Sequence, residues 1–165
     1  MPNWCANLLV VTNSEEFENT LGTPNMYGET VNFSFHQTVP FPENGYKGML
    51  GDEERRDCAE KGIPNWYDWC CREWGTKWDA SDVVVDRCPK LEIRFETAWS
   101  PPMAWLKSVS LKFPKSKFTL MCCESGMAFY GTIIAKNGKL QDNTKNGSHS
   151  DLVKFANKHR IGLGG

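Results

Sequence analysis

Residues 90–102 constrain this chain more than any other segment. Leu91, Ile93, Phe95, Thr97 and Trp99 alternate with Lys90, Glu92, Arg94, Glu96 and Ala98, the cleanest period of two in the sequence. That period predicts a strand with one buried and one solvated face. Glu92, Arg94 and Glu96 then read as a solvated or cross-strand-paired charge row, not as acid–base machinery. Ser100-Pro101-Pro102 follows at once. Proline suits the first turn of a helix, and Ser100 is the expected N-cap. Pro102, Trp105, Leu106, Val109 and Phe113 recur at helical spacing up to Pro114, which predicts a helix laying one face on a sheet.

The rest of the chain can be placed around this unit. Residues 3–12 are apolar on both faces, as in a central strand. Asn13-Ser14-Glu15-Glu16 opens a short helix that ends before Gly22. Val31, Phe33 and Phe35 alternate with Asn32, Ser34 and His36, which predicts a half-buried strand over 31–37. From Glu43 to Gly62 the chain reads as loop or as a poorly packed helix over 52–61. Residues 63–74 read as a helix with Pro64 in its first turn, a Trp66/Trp69/Cys70/Glu73 stripe, and Gly75 as its stop. Val83–Val85, the run through Phe118, Leu120 and Cys122, and residues 127–135 read as further strands. The last two are joined by a turn at Glu124-Ser125-Gly126, and Asn137-Gly138 makes another turn. Residues 139–148 read as polar linker, and Ser150 as the cap of a last helix to His159. The tail with Gly162, Gly164 and Gly165 is expected to fray.

Two strand–helix–strand units sharing one sheet predict an α+β, ferredoxin-like fold: an antiparallel sheet with helices on one face. A Trp-rich helical insertion at about 40–80 and a C-terminal helix are added to it. The domain reading is 1–138 for the ferredoxin-like unit and 139–165 for the linker and last helix.

Bulk properties exclude more than they assign. At 165 residues a single domain is expected. The formal net charge of −1 removes the basic excess usual in nucleic-acid binders, so nucleic acid is disfavoured as a partner. Seven Cys, an odd number, with no secretory leader before them, point to reduced thiols in a cytoplasm. No C-x-x-C occurs and the three His stand at no zinc spacing, so no metal is expected. No apolar run is long enough for a membrane span. Phosphate-loop, dinucleotide, nucleophile-elbow and H-E-x-x-H motifs are all absent, which leaves no catalytic residues and no cofactor to assign.

What remains is a recognition surface. Trp74-Gly75-Thr76-Lys77-Trp78-Asp79 and Trp99-Ser100 mix indoles with Gly, Lys and Ser. Trp74, Trp78 and Trp99 are candidates to stack on a base, an interaction of about 1–3 kcal/mol per ring. Lys77 is a candidate phosphate partner, Gly75 permits close backbone approach, and Ser100 lies where a helix N-terminus offers N–H groups to an anion. Against this stands a plain alternative: the indoles form a small aromatic core with Lys77 lying over it.

Four ordered segments resemble the YubB ferredoxin-like family, small proteins of phages and plasmids. They are Met1-Pro2-Asn3-Trp4-Cys5, Trp74-Gly75-Thr76-Lys77-Trp78-Asp79, Phe95-Glu96-Thr97-Ala98-Trp99-Ser100-Pro101-Pro102 and Glu124-Ser125-Gly126-Met127-Ala128-Phe129-Tyr130-Gly131. Ser125 departs from the pattern, where Pro is expected, and 139–165 matches none of it. The resemblance implies a ferredoxin-like sheet and a mobile-element origin, and brings no activity. Glu124 and Tyr130 of the fourth segment complete the candidate ligand-binding set. The resulting expectation is a non-catalytic phage protein acting in counter-defence by sequestering a nucleotide-like ligand. The alternatives are a protein-interaction module that inhibits a host defence complex, and single-stranded nucleic-acid binding. Association between copies of the chain is compatible with each.

Overall fold

The computed structural model describes residues 3–163. Met1 and Pro2 of the first motif, and the tail residues Gly164 and Gly165, lie outside the described residues. Among the described residues, five α-helices and one antiparallel sheet make up the fold. In chain order they are β1 (Trp4–Thr12), α1 (Glu15–Glu18), α2 (Asp52–Lys61), α3 (Trp66–Glu73), β2 (Ser81–Asp86), β3 (Leu91–Ala98), α4 (Met103–Lys112), β4 (Lys117–Glu124), β5 (Phe129–Lys136), β6 (Lys139–Asp142), β7 (Lys145–Asn146) and α5 (His149–His159). The sheet order is β2-β3-β1-β4-β5-β6, with β7 also pairing β5. Its first four strands have the ferredoxin-like arrangement, in which each strand–crossover–strand unit is split by a strand of the other. Strand β1 is central, as its two apolar faces predict: Asn7 lies opposite Phe95 on one side and Cys122 on the other.

The two faces of the sheet are covered differently. On the first, Leu9, Ile93, Phe95, Phe118, Leu120 and Ile133 meet Trp69 and Trp74 from the α3 side and Trp105, Leu106 and Val109 from α4. On the second, Leu8, Met121, Cys123 and Tyr130 meet Leu152 and Ala156 of α5 and Ile161 beyond it. No buried side-chain N or O atom among the described residues lacks a partner.

Several local expectations are corrected. Residues 31–37 form no strand. Phe33 and Phe35 are buried, as the alternation predicts, but the backbone bends into a short 3-10 turn over Phe35–Gln37. Its polar groups are met by side chains instead of a neighbouring strand. The Asp79 carboxylate accepts from the Ser34 hydroxyl, from Phe35 N at 2.7 Å and from Ala80 N at 2.8 Å. Gln37 Nε2 donates to Thr23 O at 2.7 Å and Val31 O at 2.9 Å.

Pro64 precedes α3, whose N-cap is Asn65, accepting from Asp68 N at 3.0 Å. Most of 139–146 is strand rather than linker, β6 and β7 being separated by Asn143 and Thr144 alone. Asn137 and Gly138 both take left-handed φ (49° and 74°), the two-residue hairpin turn that folds this polar segment onto β5. Ser148, not Ser150, caps α5, in a reciprocal box with Asp151.

A candidate recognition rim at one end of the sheet

Strand β1 begins, and β3 and β4 end, at one end of the sheet, because Trp4 pairs with Ala98 and Cys5 with Glu124. The backbone there is closely tied. Trp99 N donates to Asn3 O at 2.9 Å. Asn7 Nδ2 donates to Thr97 Oγ1 at 2.9 Å, and Thr97 Oγ1 donates to Ser100 O at 2.8 Å. Thr76 Oγ1 donates to Ala98 O at 3.2 Å. Held this way, Trp99 sits at φ 70° with 54% of its surface exposed. A bulky residue in left-handed backbone costs roughly 1–2 kcal/mol. Core packing does not explain that cost here, since the ring faces solvent.

Three further residues share this end. Trp78 is exposed and lies 6.0 Å from Trp4, ring centre to ring centre. Lys77 Nζ sits 4.4 Å over the Trp78 ring and 5.7 Å from that of Tyr67, in cation–π contact. Met127 is 66% exposed on the turn after β4. Glu124 builds that turn: its buried carboxylate accepts from Gly126 N at 2.6 Å and Met127 N at 2.7 Å. Gly126 packs against the Asn3 side chain, which brings the turn after β4 beside the backbone that Trp99 bonds.

The candidate residues therefore divide. Trp78, Lys77 and Trp99 form the rim, and Ser100 and Glu124 frame it. Trp74 does not join them. It is fully buried, donates from Nε1 to Val39 O at 2.9 Å, and meets Trp69 edge-on at 5.4 Å, so a ligand cannot stack on it. Tyr130 is also buried, on the second face, with its ring 5.2 Å from that of Phe155. Ser100 is not the N-cap of α4. Pro102 takes that position without a side-chain bond, and Ser100 Oγ donates to Gly75 O at 3.2 Å. The first turn of α4 is met by the chain itself: Trp105 N donates to Trp74 O at 3.2 Å. Gly75, at φ 81°, lies so close to α4 that a Cβ would stand 3.1 Å from Ala104 N. The Trp74-Gly75 backbone thus occupies the place expected for an anion.

Sequence reasoning missed Trp4, Asn3 and Met127 as rim residues. Only the pairing of β1 with β3 and β4 brings them beside Trp78 and Trp99. Among the described residues, no three His, Cys, Asp or Glu side chains are grouped to hold a metal. No described helix is long and apolar enough to cross a membrane.

The fold and this end of the sheet can be set against known proteins. Residues 73–160 match the family described as the ferredoxin-like domain in Api92-like protein. The chain belongs to this family. The crystal structure of Api92 from Yersinia pseudotuberculosis is similar, with a TM-score of 0.56 and 11% identity, covering 90% of this chain and 99% of that one. At that identity the likeness is one of fold. A comparison with curated proteins finds no match. The family match spans Trp74 to Tyr130, and so takes in each candidate site residue.

Proposed function

We propose that this Api92-like protein is a non-catalytic recognition module of a phage or other mobile element, which acts by docking the Trp99–Trp78–Met127 rim onto a host protein in the cytoplasm. The observation that carries this reading is Trp99, exposed and in left-handed backbone, with its own N–H bonded to Asn3 O and the flanking carbonyls of Ala98 and Ser100 held by Thr76 and Thr97. Strained residues kept in place by their surroundings cluster at functional sites. Exposed Trp and Met are also the side chains that anchor protein interfaces. The resemblance to the YubB ferredoxin-like family supports the mobile-element setting, in which a host defence complex is the natural target.

A nucleotide-like ligand stacked on the rim is the second reading, favoured by the Lys77 ammonium beside the indoles. Two points weigh against it. Trp74 is in the core, and Trp78 already carries Lys77 and Trp4 against its ring, so Trp99 alone is left to stack.

The test is a paired capture. Wild-type protein and the Trp99→Gly variant, both shown to be folded by circular dichroism, are immobilised and exposed to host lysate. The proposal expects a protein held in stoichiometric amount by wild type and lost from the variant. The same proteins on both would contradict it.

A further inference from the structure

The second face of the sheet carries a groove that the rim does not use. Helix α5 packs over β4 and β5. The β1–β3 side of that face is left open beside the helix's C-terminal end. The resulting cavity, of about 490 Å³, has Leu8, Val10 and Met121 on its floor, and Lys90, Glu92, Arg94, Lys158, His159 and Arg160 around it. This volume falls in the range of small-molecule sites. Past the helix, Ile161 and Gly162 fold back to line a smaller cavity bordered by Arg94, where Cys123 Sγ donates to Gly162 O at 3.4 Å.

The charges of this groove oppose those of the whole chain. Four cations line it against one carboxylate, Glu92, which is shared by Lys90 at 3.4 Å and Arg94 at 3.1 Å. Lys158 and Arg160 make no ion pair among the described residues. Cations at a helix C-terminus are favoured by its dipole, which accounts for Lys158 and Arg160 alone. It does not account for Arg94 of β3 and Lys90 just before that strand. The imidazole of His159 lies 4.5 Å from the Phe155 ring. Burial, and next the Lys158 charge, hold its pKa below the usual histidine value, so it offers a flat neutral ring beside the cations.

We propose that the groove between α5 and strands β1 and β3 binds a phosphorylated small molecule with a flat apolar body, a nucleoside polyphosphate by class. The phosphates meet Arg94, Lys158 and Arg160, in charge-assisted bonds that suit guanidinium and ammonium groups. The base lies on the half-buried Val10 and His159, above the packed Leu8 side chain. The apolar floor is what separates such a ligand from bare phosphate, and a single-stranded oligonucleotide is the competing occupant that the titration below reads directly.

Isothermal titration of the full chain tests this, with the four ribonucleoside triphosphates, adenosine, inorganic tripolyphosphate and a short oligothymidylate as probes. At least one triphosphate is expected to bind. Tripolyphosphate and adenosine are each expected to bind at least about tenfold more weakly. Lys158→Glu combined with Arg160→Glu lies on exposed positions, and should weaken the triphosphate at least about tenfold while circular dichroism stays unchanged. Trp99→Gly should leave that affinity unaltered, which separates this site from the rim. Tripolyphosphate binding as tightly as any nucleotide would overturn the role of the floor. Oligothymidylate binding with no triphosphate binding would overturn the ligand class. Silence from every probe, or affinity that survives the double charge reversal, would overturn the site.

Discussion

The two faces of the sheet use their side chains in opposite ways. The first is an aromatic lattice closed to solvent: Phe35 lies 4.9 Å from Trp105 and 5.7 Å from Trp74, and Phe33 lies 5.3 Å from Phe95. Even its polar atoms are tied inward, since Trp105 Nε1 donates to Thr38 Oγ1 at 2.8 Å. The second face is shallower, covered by one helix that buries Leu152 and Ala156, with cations along its open side. The difference separates the part of the chain that holds the fold from the part that leaves surface to spare. The candidate rim sits at the start of β1 and the end of β3, where Trp4 pairs with Ala98.

The comparison breaks most visibly at Trp105. Trp105→Ala should cost about 3–5 kcal/mol, read by urea unfolding, because it empties the centre of the lattice and removes the indole N–H that Thr38 Oγ1 accepts. On the second face, Leu152→Ala should cost about 2–3 kcal/mol, near the low end for buried leucines. Hydrogen exchange should also show α5 amides opening before those of β1, since the helix rests on a smaller cluster.

A smaller effect comes from pH. His36 is partly buried, and its Nδ1 accepts from Phe41 N at 2.9 Å, a bond that only the neutral ring can make. Burial, then the nearby Lys47, lowers its pKa from 6.5, against an opposing pull from Asp79. The unfolded chain therefore binds the proton first. Stability from this group is present above the unfolded value and is lost as pH falls below it, toward the lowered folded pKa. His159 shifts in the same direction. Urea unfolding at pH 7.5 and 5.5 should show wild type losing more stability on acidification than His36→Gln does. Equal losses would remove His36 from the account.

The sheet was legible where pattern and packing agree. β1 is two-faced because it is central, and β3 alternates because one face is solvated. The Asn137-Gly138 turn is legible from its dipeptide alone. Residues 31–37 misled, because alternation records which side chains are buried and not what the backbone pairs with; there, Asp79 and Gln37 replace a partner strand. The polar β6 and β7 were invisible because an edge strand set by a turn needs no apolar period. The candidate site was legible in part. Trp74 and Trp78 have similar neighbours in sequence, yet Trp74 closes α3 and lends its carbonyl to α4, while Trp78 lies past the Gly75 bend. Only the three-dimensional path decides which indole is displayed. Met127 and Asn3 join the rim through strand register, which no local pattern carries.

The smallest expected effect is the most telling. The central claim is that Trp99 is displayed at the rim and does not serve as core. Urea unfolding of Trp99→Gly and Trp99→Ala tests it. Both delete the ring, but glycine accepts left-handed backbone and alanine does not. The account predicts that the glycine variant lies within about 1 kcal/mol of wild type and about 1 kcal/mol above the alanine variant. A loss of about 3 kcal/mol or more in the glycine variant, comparable to Trp105→Ala, would show that Trp99 is structural and would contradict the account.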